Sequence, residues 1–214
     1  MVSSFTDKTP KGFGLLQRDR KFESYHDDVR EELRPNLWIE PLGDWGDGAV
    51  ELVEIPTADE YHDNIVAFWT PLRPARSGEA FHFSYRLHWG VKEPLPGRLA
   101  RCIATRLTKG GLTAEDERVP GWPILQRRFV VEFDGLALEG HDATKATAIL
   151  TMSRGSFDGL RVSPEANGNP RPWRVLFRVF ADGDEPVEMR LFLKTGTETL
   201  SETWAYQYHP NAWV

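Results

Sequence analysis

The hexapeptide DEYHDN (59–64) puts three carboxylates, a phenol and an imidazole directly before the apolar run IVAFW (65–69). A carboxylate at the mouth of a buried strand sits on a rigid element and is partly desolvated. That raises its pKa and suits it to general-acid work. Acids just before a strand are also commonly solvated loop residues, so spacing alone leaves Asp59, Glu60 and Asp63 open to either reading. A second charged knot, Arg18-Asp19-Arg20, has a similar choice. It forms a surface ion-pair trio of little energetic weight, or it presents a fork of donors to sugar hydroxyls. His26-Asp27-Asp28 has the residue types of a metal site. Adjacent residues on one segment rarely converge on a single ion, so no metal and no cofactor is expected.

Eight tryptophans and 12 % aromatic residues are unusual in a chain of 214. Rings are large, flat and low in conformational entropy, and both strand-rich sandwiches and carbohydrate-handling proteins use them heavily. Trp69, on the apolar run, reads as core. Trp45, in the Gly-rich GDWGDG (43–48), and Trp122, in a Gly/Pro-rich stretch, are the better stacking platforms, and Trp38 fits either role. Phosphate-loop, dinucleotide, nucleophile-elbow, zincin and C-x-x-C signatures are all missing from the sequence. Cys102, the one cysteine, lies in a loop-like region without an obvious base and reads as a plain small residue.

The elements that must position these residues are strands. In AFHFSYRLHWG (80–90), Phe81, Phe83, Tyr85, Leu87 and Trp89 alternate with polar residues. In RPWRVLFRVFADG (171–183), Trp173, Val175, Phe177 and Val179 share a face. Period-2 alternation of this kind marks a strand with one face on a core. DNIVAFWTP (63–71) is apolar on both faces and predicts a central strand between layers. HDDVREELRP (26–35) has room for two helical turns before Pro35. The Pro- and Gly-rich stretch 91–123 breaks the rhythm and reads as a long loop or boundary. The expectation is an all-β chain: strands of a large sandwich in residues 1–90, a linker over 91–123, and a small immunoglobulin-like sandwich over 124–214, where short strands recur every 8–12 residues or so.

Net charge is −6 with no basic block, which argues against nucleic acid or an anionic membrane as partner. No run approaches the 18 apolar residues of a membrane span, and the first residues lack the pattern of an export signal.

GFGLLQRDRKFESYHD (12–27), RPNLWIEPLGDWGDGAVELVEIPTADEYHDNIVAFWTP (34–71), FSYRLHWG (83–90) and LSETWAYQ (200–207) together resemble the C-terminal part of the periplasmic glucan biosynthesis proteins G and D. The resemblance implies that residues 1–90 are the last strands of a large galactose-mutarotase-like sandwich, followed by the immunoglobulin-like one. It implies a periplasmic location and action on the β-1,2-linked glucose backbone of osmoregulated glucans, some members being inverting β-1,2-glucanases. Asp63 best matches the family's catalytic acid. Arg18, Asp19, Trp45, Glu60, Tyr61 and Trp122 are the substrate-binding candidates. The base is expected upstream of Gly12, so activity of this chain by itself is left open, and a missing N-terminal half or a second copy is the expected partner. A non-catalytic glucan-binding or scaffolding role is the alternative.

Overall fold

A computed structural model describes residues 2–25, 29–55, 64–92, 94, 97–108, 126–164, 169, 171–181 and 183–210. The chain is all-β: every helical piece among the described residues is a single 3-10 turn, and no helix is long and apolar enough to cross a membrane. It divides into two compact units, Met1–Pro96 and Gly97–Val214.

The first unit holds two three-stranded antiparallel sheets. One is ordered β1 (Val2–Asp7), β4 (Gly48–Ile55), β5 (Asn64–Pro71), and the other β2 (Phe13–Leu15), β3 (Asn36–Leu42), β6 (Ser84–Gly90). Alternation sets the register in both. Trp89, Leu87 and Tyr85 on β6 stand opposite Leu37, Ile39 and Pro41 on β3, while His88 and Arg86 face Trp38 and Glu40. The strand expected to be central, β5, pairs only with β4 among the described strands, and Ile65, Val66 and Phe68 remain exposed. A two-faced apolar strand becomes central only where a layer covers each face, and the described residues of this unit provide no such cover. The expected two-turn helix is also corrected. Among the described residues of 26–35, Glu31–Leu33 forms a single 3-10 turn, and Arg30 before it lies in the left-handed region at φ 61°, which an α-helix does not accommodate.

The second unit is a β-sandwich. Its first sheet runs β10 (Ser156–Pro164), β11 (Trp173–Phe180), β8 (Gln126–Asp134), β7 (Arg101–Thr108). Its second runs β13 (Glu198–Thr199), β12 (Val187–Thr195), β14 (Trp204–Tyr208), with β9 (Thr147–Met152) also paired to β12. The inward residues of β8, β11 and β12 are almost wholly buried and form one core with Trp204 and Tyr208. Phe129 stacks on Phe177 at 5.2 Å and meets Trp204 and Tyr208 edge-on at 6.2 and 5.5 Å, so rings from both sheets interlock. Trp204 Nε1 donates across the sandwich to Thr105 Oγ1 at 2.9 Å. The strand β7 lies inside the stretch 91–123 that the proline and glycine count marked as loop, and it carries Cys102. Proline and glycine cluster on either side of RCIATRLT (101–108), not within it, and the sheet supplies β7 with an antiparallel ladder to β8, broken only by a register shift between Cys102 and Ala104.

Candidate functional site

The GDWGDG turn between β3 and β4 builds one wall of a recess. Asp44 Oδ1 accepts from Gly46 N at 2.7 Å and from Thr9 Oγ1 at 2.9 Å. The Gly46 amide first, then the Thr9 hydroxyl, hold this carboxyl below the usual aspartate range. Gly46 has φ +75°, a left-handed conformation that favours glycine. The turn so fixed directs Trp45 into a ring cluster: Phe83 lies 5.1 Å away edge-on, and Phe13, Trp69 and Tyr85 each 6.3 Å. Trp45 Nε1 donates to Ser84 O at 3.2 Å. Trp45 is half-buried, a packing hub with one side left for the recess.

The opposite wall comes from the segment between β5 and β6. Leu72 N donates to Asp47 O at 2.8 Å, joining it to the turn. Arg73 stands 4.5 Å above the Phe81 ring and pairs with Glu79 at 3.3 Å, while Phe81 and Phe83 lie nearly parallel, 6.1 Å apart. Between the walls is an open recess of about 540 Å³, lined by Trp45, Asp47, Arg73, Phe81, His82 and Phe83 among others. Flat rings accept the C–H faces of sugars, and carboxylate, guanidinium and imidazole groups bond to hydroxyls. Asp47 is exposed, and its carboxylate has no partner among the described residues.

A second polar cluster sits on the β3–β6 sheet. His88 Nε2 lies 2.7 Å from Glu40 Oε2, and Arg86 donates to the same oxygen at 3.1 Å. The His88 contact, aided by Arg86, outweighs desolvation and holds the Glu40 carboxyl below the usual glutamate range. Beside His88 a shallower recess of about 350 Å³ is bounded by Trp89, Val91, Lys92 and Pro94.

Residues 1–208 match the family described as "Periplasmic glucan biosynthesis protein, MdoG". The chain belongs to the MdoG family. Among relatives, it is 54 % identical over 213 residues to glucans biosynthesis protein D 2 of Ralstonia nicotianae, covering 98 % of this chain and 38 % of that protein. Identity to glucans biosynthesis protein D is 43 % over 212 residues in Stenotrophomonas maltophilia, covering 96 % of this chain and 38 % of that protein. It is 43 % over 220 residues in Pseudomonas syringae pv. tomato, covering 98 % and 40 %. The chain thus spans about two fifths of the length of these relatives.

Within this MdoG-family chain, the site residues expected from sequence separate clearly. Trp45 lines the recess. Asp19 does not: its Oδ1 accepts from Lys21 N at 3.0 Å, and its carbonyl accepts from Gln17 Nε2 at 3.0 Å and Tyr25 OH at 2.8 Å. The Lys21 amide, then the Ser24 hydroxyl, depress its pKa, so Asp19 shapes its own loop. Arg18 is exposed without a partner among the described residues. The Arg18-Asp19-Arg20 ion-pair trio does not form, because Arg20 turns inward and donates to Glu32 O at 2.9 Å, Arg34 O at 2.8 Å and Asn36 Oδ1 at 2.7 Å. Asp63, Glu60, Tyr61 and Trp122, and also Asp59 and His26-Asp27-Asp28, lie outside the described residues. Cys102 is buried, its Sγ 3.6 Å from Ala104 O. Asp47, Arg73, Phe81 and the Glu40–His88 pair were missed as site residues. Alternation did place Glu40 and His88 on polar strand faces, but only the β3–β6 register brings them together.

Proposed function

We propose that this chain serves in the periplasm as the C-terminal portion of a protein acting on the β-1,2-linked glucose backbone of osmoregulated glucans. Family membership supports the glucan, and the recess walled by Trp45, Phe81 and Phe83 carries the proposal on the structural side. Rings on both walls with Asp47, Arg73 and His82 at the rim suit a chain of pyranose units better than a charged or wholly apolar ligand. In the catalytic form of the proposal, Asp63 protonates the departing glycosidic oxygen. Inversion requires a second carboxylate roughly 6.5–9.5 Å away to activate water on the other face of the sugar.

A second reading, a glucan-binding or scaffolding role without hydrolysis, is favoured by one specific observation. Of the two turn carboxylates at the recess, Asp44 is committed to Gly46 and Thr9, and Asp47 is exposed. Neither has the desolvated setting of a general acid.

The test is calorimetric titration of the full-length protein with linear β-1,2-glucooligosaccharide, with a β-1,4-linked oligosaccharide as control, alongside a reducing-end assay. Trp45→Phe is expected to weaken β-1,2-glucan binding several-fold, and Asp63→Asn to abolish cleavage while leaving affinity within a few-fold. Undetectable cleavage by the unmodified protein with retained binding selects the scaffold reading. Failure to bind β-1,2-glucan at all overturns both.

A further inference from the structure

The outer face of the β10–β11–β8–β7 sheet is basic in a chain whose net charge is −6. Arg178 on β11 stands directly opposite Arg128 on β8, and Arg161 on β10 stands opposite Leu176, two residues along β11 from Arg178. Like charges directly across a ladder destabilise a sheet, since their Cβ atoms are only about 5 Å apart. The acids of this face are already engaged. Glu132 is shared by Arg106 at 2.7 Å and Arg174 at 2.8 Å, and Asp158 gives both carboxylate oxygens to Arg178. Arg128 and Arg161 have no partner among the described residues.

These side chains surround a defined recess. The ladder between β10 and β11 is interrupted between Asp158 and Arg161, where Gly159 takes φ +62° with open space around it. The hollow left there holds about 120 Å³ and is lined by Arg128, Gly159, Arg161, Leu176, Phe177 and Arg178. Among the described residues three guanidiniums line this hollow and one carboxylate, Asp158, is bonded to them, so positive charge is in excess around a space too small for a drug-sized ligand, which needs about 300 Å³ or more. Guanidinium forks match the oxygens of phosphate in bidentate fashion.

We propose that this recess is a binding site for a compact phosphate-class oxyanion, held by Arg128 and Arg161 with Arg178 as the third wall. The anion relieves the Arg128–Arg178 repulsion and ties β10, the edge strand of the described sheet, to β8 across β11. The site belongs to the second unit and shares no residue with the Trp45 recess, so it stands or falls independently of the glucan reading.

The test is titration of the full chain with inorganic phosphate at low ionic strength, read by calorimetry and by thermal unfolding. Saturable binding and a rise in Tm are expected, both weakening as sodium chloride is added. Arg128→Gln and Arg161→Gln should each weaken binding about tenfold, as expected for one lost charge-assisted hydrogen bond, and the double variant should abolish it. Arg190→Gln, an exposed arginine on β12, should leave binding unchanged. Without phosphate, Arg128→Gln should unfold at a higher temperature than the parent, a result that simple damage to the fold cannot give. Methyl phosphate distinguishes the source: equal binding assigns the site to an esterified phosphate, and weaker binding assigns it to the free ion. The proposal is overturned by absence of saturable phosphate binding, or by equal loss in Arg190→Gln.

Discussion

Two strands with nearly the same hydrophobic rhythm end in opposite environments. In the first unit, β6 alternates Tyr85, Leu87 and Trp89 with Arg86 and His88, and Trp89 is 64 % exposed and Leu87 43 %. In the second, β11 alternates Trp173, Val175, Phe177 and Val179 with Arg174, Leu176 and Arg178, and each of those four inward side chains is at most 1 % exposed. The difference lies in the opposing layer. The apolar face of β11 meets β12 and β14 of a second sheet, whereas Phe13 is the only buried hydrophobic residue described in the first unit. Alternation reports which face of a strand is apolar. It does not report whether the same stretch of chain supplies the cover.

The largest effect that tests this contrast is expected at the stacked pair Phe129 and Phe177. Both rings are buried and each touches aromatics of the facing sheet. Phe177→Ala should cost about 3–5 kcal/mol, since a cavity left among interlocked rings cannot collapse. Chemical denaturation checks it. A loss under roughly 1 kcal/mol would mean that this core is far looser than its burial indicates.

Next comes the buried carboxylate of the same unit. Burial raises the pKa of Glu132, but hydrogen bonds from Arg106 and Arg174 outweigh it and hold the carboxyl below the ordinary glutamate value. A depressed folded-state pKa gives stability that is present above the unfolded value of about 4.3. That stability is lost as pH falls through the lower folded value. Glu132→Gln keeps the shape but removes the charge facing two half-exposed guanidiniums, so the loss at pH 7 should be on the order of 1–3 kcal/mol, discounted for solvent screening. Denaturation midpoints for parent and variant should converge as pH is lowered below about 4. A gap that widens on acidification would contradict the sign of the shift.

How much of this was legible beforehand depends on the kind of interaction involved. The strands β6, β11 and β12 follow from local alternation and β5 from an apolar run ending at Pro71, signals that need nothing beyond neighbouring residues. The strand β7 was hidden, because flanking proline and glycine outweighed the short alternation of RCIATRLT (101–108). Its ladder comes from β8, across a long separation in sequence. Trp45 was legible as a ring at a recess because the glycine turn around it leaves one side open, whereas its packing on Phe13, Trp69, Phe83 and Tyr85 depends on residues distant in sequence. Asp19 misled for a related reason: an aspartate between arginines looks like a ligand group, yet its carboxylate bonds the backbone two residues on, a local habit of aspartate in turns. The Glu40–His88 contact spans 48 positions, and only the register of β3 on β6 creates it.

Amide hydrogen exchange extends the comparison without substitution. Protection reflects the free energy of local opening, which is small where backbone hydrogen bonds are exposed and apolar contacts few. Amides of β8, β11 and β12 are expected to exchange only through global unfolding of their unit. Those of β5 and β6 should exchange at least tenfold faster, even where both are laddered to a neighbour. Equal protection in the two units would mean that the apolar faces of the first unit are covered in solution.

The smallest expected effect is the most discriminating. Phe68 lies on β5 opposite Glu51, 47 % exposed despite its size. In a covered strand, Phe68→Ser would remove a large buried ring and cost several kcal/mol. On the uncovered face seen here the ring loses little, and surface substitutions away from caps and networks usually stay within about 0.5 kcal/mol. Phe68→Ser in the 214-residue chain should therefore leave the denaturation midpoint almost unchanged, while reducing any self-association driven by exposed apolar surface. Leu87→Ser on β6 should behave alike, because its face is equally open. The same substitutions made in a full-length MdoG-family protein separate two cases. A neutral result there means that the face stays open, and a loss of several kcal/mol means that residues beyond this chain pack on it. If instead Phe68→Ser is strongly destabilising in the 214-residue chain itself, the contrast between the two units fails, and a second copy covering β5 becomes the first thing to measure, by sedimentation of the parent chain.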